Sequence, residues 1–313
     1  MKKLTTIVMI LALVAALAAC GQEPAPDPEP EPQSIAAIAA DAGVFETLLS
    51  ILPEDLATAL SDDDAGPFTV FAPTDDAFAA IASVLPTLSE ADVREVLELH
   101  VVAGAVSSTD AIAAVSARSL GAELLYFIVD GDDLLIDGVA RVESADIEAS
   151  NGVIHVIDTV LLPKGTIVDV AVEAATADDE EFTVLVDAVL AADTTVFDTL
   201  ADVAAGPFTV FAPTDAAFAA LPDGALQGLL DDQEALTNVL LYHVTGAGAL
   251  LASQVVGLVA DAPVDVTMLN GGDVTVALEN GAVKVNDATV VVTDILTANG
   301  VIHVIDSVLL PSD

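Results

Sequence analysis

The sequence predicts an α+β fold made twice in tandem. In each half, helical apolar periodicity comes first, and β-prone runs with turn signals follow. That segregation argues against the alternating pattern of a parallel α/β fold. Residues 66–75, Gly-Pro-Phe-Thr-Val-Phe-Ala-Pro-Thr-Asp, return unchanged at 206–215, and residues 151–158, Asn-Gly-Val-Ile-His-Val-Ile-Asp, return at 299–306. Two motifs repeating in the same order at offsets of 140 and 148 mean duplication of a whole folding unit, not a solenoid of short repeats.

Along the chain, Lys2 and Lys3 precede an uncharged run at 4–19 that is short for a membrane span of about 20 residues, so residues 1–19 read as a secretory signal. The run closes on Leu17-Ala18-Ala19-Cys20-Gly21, the form of a bacterial lipobox, which makes Cys20 the lipidated mature N-terminus and a membrane anchor. Glycine after that cysteine is similar to what outer-membrane lipoproteins carry, if the cell has two membranes. Residues 20–33 place Pro24, Pro26, Pro28, Pro30 and Pro32 at every second position, an extended tether reaching roughly 35 to 40 Å from the lipid.

Two domains follow, expected at 34–163 and 164–313. Ser34 and Thr166 are the polar caps that open them. In the first, Val44, Phe45, Leu48, Leu49 and Leu52 recur at helical spacing; in the second, Leu185, Val189 and Leu190 do. Both sets are expected to face the core. Phe68–Phe71, bounded by Gly66-Pro67 and Ala72-Pro73, reads as a strand, and Thr74-Asp75 and Thr214-Asp215 as caps of the helices they begin. A helix is expected over 90–100. Asn270-Gly271 and Asn280-Gly281 read as type I′ hairpin turns. Residues 153–157 have apolar side chains on both strand faces, as expected of a central strand, and the Asn-Gly pairs before them read as turns. Only Lys164 and Gly165 separate the two units, so they must abut.

Composition bounds the rest. Cys20 is the sole cysteine, so no disulfide staples the folds, and 54% hydrophobic residues can fill two cores. Fifty acidic residues against seven basic give a formal net charge of −43, shared by both units. Such a surface repels nucleic acid and anionic membranes. It suits either a saline habitat, where salt screens the repulsion, or simple solubility of an exported protein.

Phe-Thr-Val-Phe-Ala-Pro-Thr-Asp with Phe three residues on, a central Tyr-His, and Asn-Gly-Val-Ile-His-Val-Ile-Asp before Leu-Leu-Pro together resemble the fasciclin domain, over nearly all of 34–313. The resemblance implies a β-sheet wedge with helices packed around it, found in cell-surface and matrix adhesion proteins. In animal members, adhesion has been attributed to the Tyr-His region and to an Asp-Ile pair before the last motif. Tyr242-His243 match the first and Asp146-Ile147 and Asp294-Ile295 the second; at the first position the other copy has Leu99-His100, which lacks the hydroxyl. These six matching residues are the candidate partner-binding residues.

Chemistry has weaker support. His100, His155, His243 and His303 occupy repeat-equivalent positions, but His155 and His303 lie inside apolar strands, as structural imidazoles do. His155 and Asp158 fall on opposite strand faces and form no dyad. There is no cysteine or motif-placed serine nucleophile. Asp62-Asp63-Asp64 and Asp130-Gly131-Asp132-Asp133 lack the calcium-loop pattern and read as solvated turns. The expected function is therefore non-enzymatic, without cofactor or metal: adhesion to an extracellular protein or polysaccharide from a lipid-anchored position on the cell envelope. The alternative is a lipid-anchored protein that captures a small apolar or carbohydrate ligand between helices and sheet.

Overall fold

The computed structural model of the chain describes residues 32–177, 181–260 and 262–311. The expected leader, the Cys20 lipidation site and most of the tether lie outside them. Residues Gln33–Asp313 form one compact unit containing every apolar cluster discussed below, so this segment has a core of its own.

The first copy contributes strands β1 (Phe68–Pro73), β2 (Val101–Ala103), β3 (Ser116–Arg118), β4 (Leu124–Asp130), β5 (Asp133–Ile136), β6 (Ala140–Ala149) and β7 (Gly152–Ile157). The second contributes β8 (Phe208–Pro213), β9 (Val244–Thr245), β10 (Val264–Thr267), β11 (Asp273–Glu279), β12 (Ala282–Val285), β13 (Ala288–Leu296) and β14 (Gly300–Ile305). Each set makes a seven-stranded sheet of identical topology, β2-β1-β7-β6-β5-β4-β3 and its counterpart. The fold is α+β, as expected. Each sheet contains one parallel pair, β1 with β7 and β8 with β14, because the strand planted among the helices returns to lie beside the last strand.

Strand alternation divides the core. Val70, Ala72 and Ile154 point into the helical layer with Ile35, Phe45, Leu48 and Leu97, while Phe71 and Ile157 point the other way onto Leu125, Phe127 and Ile136. Val210, Ala212 and Ile302 against Phe211 and Ile305 repeat the division. The last strand of each copy is thus flanked on both faces by apolar side chains.

The helix starts follow the sequence. Ser34 accepts from the Ala37 amide, Thr166 from Asp169 and Ser89 from Asp92, opening helices Ile35–Ala42, Ile167–Thr176 and Glu90–Leu99. Three expectations change. Val44 and Leu190 are exposed, because Val44 lies in the bend before helix Glu46–Ile51 and helix Thr183–Ala191 buries only a narrow stripe around Leu185 and Ala188. Asn280-Gly281 is a two-residue hairpin with positive φ at both positions, but Asn270 is not in that region. There the Met268 amide donates to the Gly272 carbonyl, closing a longer loop in which only Gly271 is left-handed.

Asn151, expected as a turn residue, is instead a buried bracket. Its Oδ1 accepts the Ile35 amide at 2.9 Å, and its Nδ2 donates to the Leu60 and Asp62 carbonyls, tying one helix start and one helix end to the last strand. Asn299 does the same with Ile167, Leu200 and Asp202. Gly152 follows because a Cβ there would lie 1.9 Å from the Phe68 carbonyl oxygen. Asp75 and Asp215 likewise act at a distance. Thr74 and Thr214 cap their own helices, while the aspartates accept the first amides of the helices two places earlier in the chain, Glu46 and Thr47, and Thr183 and Val184.

Candidate functional site

The Asp-Ile pairs sit at an irregularity in β6 and β13, where the pairing with the last strand slips between Ser144 and Ile147 and between Val292 and Ile295. Extra residues there bend the strand outward, and Asp146 and Asp294 take the left-handed conformation at φ 59°. Each aspartate is held twice. Its amide donates to a histidine Nδ1, Asp146 to His155 at 3.2 Å and Asp294 to His303 at 3.3 Å. Its carboxylate accepts the first amide of a helix earlier in the same copy, Ser108–Ala114 or Ala252–Leu258, at 2.8 Å in both copies. Bonds from the Ser108 hydroxyl and amide hold the Asp146 carboxyl below the usual range. Ile147 and Ile295 turn inward and pack on the helical cores.

Because Nδ1 of His155 and His303 accepts an amide, the proton must be on Nε2, which donates to the Val106 and Leu250 carbonyls at 2.9 and 2.7 Å. His100 and His243 hold the opposite tautomer. Their Nδ1 donates to Val96 and Val239 carbonyls, and their Nε2 accepts the Leu161 and Leu309 amides. All four imidazoles are neutral struts with both nitrogens engaged. Burial pushes the pKa of His100 and His243 down to about 4.

Tyr242 and His243 are buried, at 5% and 4% exposure. The Tyr242 hydroxyl donates to the Asp273 carbonyl at 2.7 Å and accepts from Asn286. Its ring packs with Phe211 and Val274. The structure thus separates the six candidates: Asp146 is exposed, Asp294 and the two isoleucines are half-buried, and the Tyr-His pair faces the interior.

Comparing the copies finds surface residues that motif reading missed. Val291 and Val292, just before Asp294, are 54% and 48% exposed, where the first copy has Glu143 and Ser144. Beside them runs an apolar groove of about 40 Å³ lined by Ala252, Val255, Leu258, Val276, Val290 and Thr293 among others. In the first copy Phe127 stands at the place of Val276, its ring 5.8 Å from Phe71. A second apolar cleft, about 50 Å³, lies between Ile167–Thr176 and Thr183–Ala191. Among the described residues no cluster of three or more His, Cys, Asp or Glu could hold a metal, and no helix is long and apolar enough to cross a membrane.

Two copies of one helix-and-sheet unit, each locked by an asparagine bracket and two histidine struts, define a tandem-domain protein. The fasciclin domain matches residues 43–163 and again 180–311, and the chain belongs to the fasciclin-domain family. Protein sll1483 of Synechocystis sp. is 46% identical over 148 residues, 47% of this chain and 73% of that protein. Transforming growth factor-beta-induced protein ig-h3 of Oryctolagus cuniculus is 32% identical over 257 residues, 82% of this chain. Periostin of Homo sapiens is 29% identical over 252 residues, 79% of this chain. The chain spans only 34% and 28% of the length of those two animal proteins. A solved FAS1 domain pair from the insect cell adhesion molecule fasciclin I covers 86% of this chain at 20% identity, with a TM-score of 0.41.

Proposed function

We propose that this chain is an adhesion protein, anchored through lipid on Cys20 to the cell envelope, that holds an extracellular protein or polysaccharide through the surface around Asp294 and, more weakly, Asp146. The observation that carries the reading is the Asp294 bulge. A half-buried carboxylate, fixed by the Ala252 amide, sits on a strand bent away from the sheet, next to the exposed Val291 and Val292 and an apolar groove. Such a mixture of a fixed charge and exposed apolar surface suits a partner contact. Tyr242 and His243 act in this reading as supports beneath the surface. The role is one of binding, since all four histidines are committed to backbone groups. Two similar domains on one anchored chain add avidity without new contacts.

The ligand-capture reading is less well supported, because the apolar clefts of about 50 and 40 Å³ fall far below the roughly 300 Å³ of ordinary small-molecule sites, while a larger depression of about 530 Å³ beside Pro53 and Leu88 is open to solvent and walled by the Arg94–Asp55 ion pair. The test is attachment of cells displaying the protein, with and without excess soluble Gln33–Asp313. Loss of attachment on competition supports the adhesive reading. No attachment above cells lacking the protein refutes it, and a persistent non-protein mass on the purified chain would move weight to ligand capture.

A further inference from the structure

The two copies dock through unlike faces, a tail on the first and a head on the second. On the tail, Tyr126 is fully buried, its hydroxyl 2.5 Å from the Gly300 carbonyl and 2.9 Å from that of Thr297. Arg118 donates to the Val203 and Ala205 carbonyls, and the Leu124 amide to the Ala298 carbonyl. Leu124 and Tyr126 pack on Leu251, Val301 and Leu296 of the head. Lys164, in the connection, pairs with Asp137 at 2.6 Å and lies over the Tyr126 ring. A contact between unlike faces leaves one face of each kind unused at every step, so a free tail and a free head of the same chemistry would join chain after chain into rings or open filaments.

Duplication supplies both free faces, and their residues can be matched through shared hydrogen bonds. The Tyr126 amide donates to Asp137 as the Thr275 amide does to Asn286, and the Ser119 amide to the Glu123 carbonyl as Met268 does to Gly272. By that register the free tail of the second copy has Thr267, Asp273 and Thr275 where the docked tail has Arg118, Leu124 and Tyr126. All three are exposed. On the head, Asn151 and Asn299 brackets and the paired Ser150 and Ala298 amides fix the match. The free head of the first copy has Asp63, Ser107, Glu148 and Ser150 where the docked head has Val203, Leu251, Leu296 and Ala298.

We propose that both free faces are sealed against a further domain of this kind: the residues that glue the pair have been exchanged for short polar and acidic ones, so copies of the chain do not stack head to tail. The free tail lacks the guanidinium and phenol that satisfy carbonyls at the junction. Stacking would also bring Asp273 toward Asp63 and Glu148, like charges that lose water on contact. The seal keeps copies of this domain pair apart, with the Asp294 region free for a different partner.

The test converts each free face back. Gln33–Asp313 carrying T267R, D273L and T275Y restores a docking tail; a second chain carrying D63V, S107L, E148L and S150A restores a docking head. Sedimentation equilibrium should show the wild-type chain at single-chain mass even at about 1 M salt, where charge repulsion is screened. The two variants mixed should form a one-to-one pair at least about tenfold more tightly than wild type with itself. Wild-type chains that associate through these faces, or folded variants that stay apart when mixed, overturn the proposal. If a variant does not fold, the reverse exchange decides. R118T, L124D and Y126T place free-face residues in the docked tail and should part the two copies, read as a larger radius of gyration by small-angle scattering. An unchanged radius contradicts the assignment of these residues as the glue.

Discussion

The amide of Asp294 donates to Nδ1 of His303, so the residue whose half-buried carboxylate caps the helix at Ala252 is held from beneath by a buried neutral imidazole. The same relation joins Asp146 to His155. It explains why the Asp-Ile pair and the histidine of the last strand repeat together: one is the outer end of a bracket and the other its footing.

Substitutions at Asp294 should therefore split by chemistry. Asp294→Ala loses the cap on Ala252 and places alanine at positive φ, costing about 2 kcal/mol in urea unfolding. Asp294→Asn keeps an acceptor and tolerates that backbone, so its cost should be a few tenths of a kcal/mol, roughly. Equal losses for the two would show that the carboxylate does not cap the helix. The asparagine variant is accordingly the proper probe of adhesion, since it changes charge with the fold intact.

Tyr242→Phe should destabilise the chain by about 1 kcal/mol, from lost bonds to the Asp273 carbonyl and Asn286, with attachment to a partner unchanged once the protein is folded. Abolished attachment by a stably folded Tyr242→Phe chain would return the hydroxyl to the binding surface.

The buried histidines set a pH dependence. His100 and His243 titrate at about 4 in the fold, against about 6.5 in an unfolded chain. Between those values the unfolded chain takes up protons that the fold refuses, so stability present above about pH 6.5 is lost as the pH falls toward 4. Each histidine contributes on the order of 3 kcal/mol over that range. Burial lowers His303 too and adds to the loss, while Glu123, raised by burial, opposes it near the carboxylate range. Urea midpoints that stay flat from about pH 7.5 to about 4.5 would contradict this account.

Salt should stabilise. With 46 acidic and five basic residues in 33–313, self-repulsion weakens as the Debye length shrinks from about 30 Å at 0.01 M salt to about 3 Å at 1 M. The melting temperature of Gln33–Asp313 should rise across that range, and continued gain in molar salt would favour the saline habitat over simple solubility. No rise would remove self-repulsion as a determinant.

Much of the architecture was legible because it rests on local patterns. Ser34, Thr166 and Ser89 announce helix starts by their own chemistry, and the strand at 68–73 is punctuated on both sides by proline. What escaped depends on partners far along the chain. Asn151 reads as a turn until Leu60 and Ile35 are seen converging on its amide, and Asp75 reads as a cap of its own helix until Glu46 and Thr47 are placed against it. Tyr242 and His243 carry a motif whose exposure no spacing rule reveals. Val291 and Val292 were readable in principle, by asking where one copy departs from the other rather than where they agree.

The most direct measurement of the central claim is retention of beads coated with Gln33–Asp313 on protein- and polysaccharide-coated surfaces under flow, beside beads coated with the D146N and D294N double variant. The account predicts saturable retention by wild type on at least one surface, and a several-fold loss by the folded double variant. Wild-type beads retained no better than uncoated ones on every surface would contradict adhesion, and equal retention of wild type and variant would move the contact away from the two aspartates.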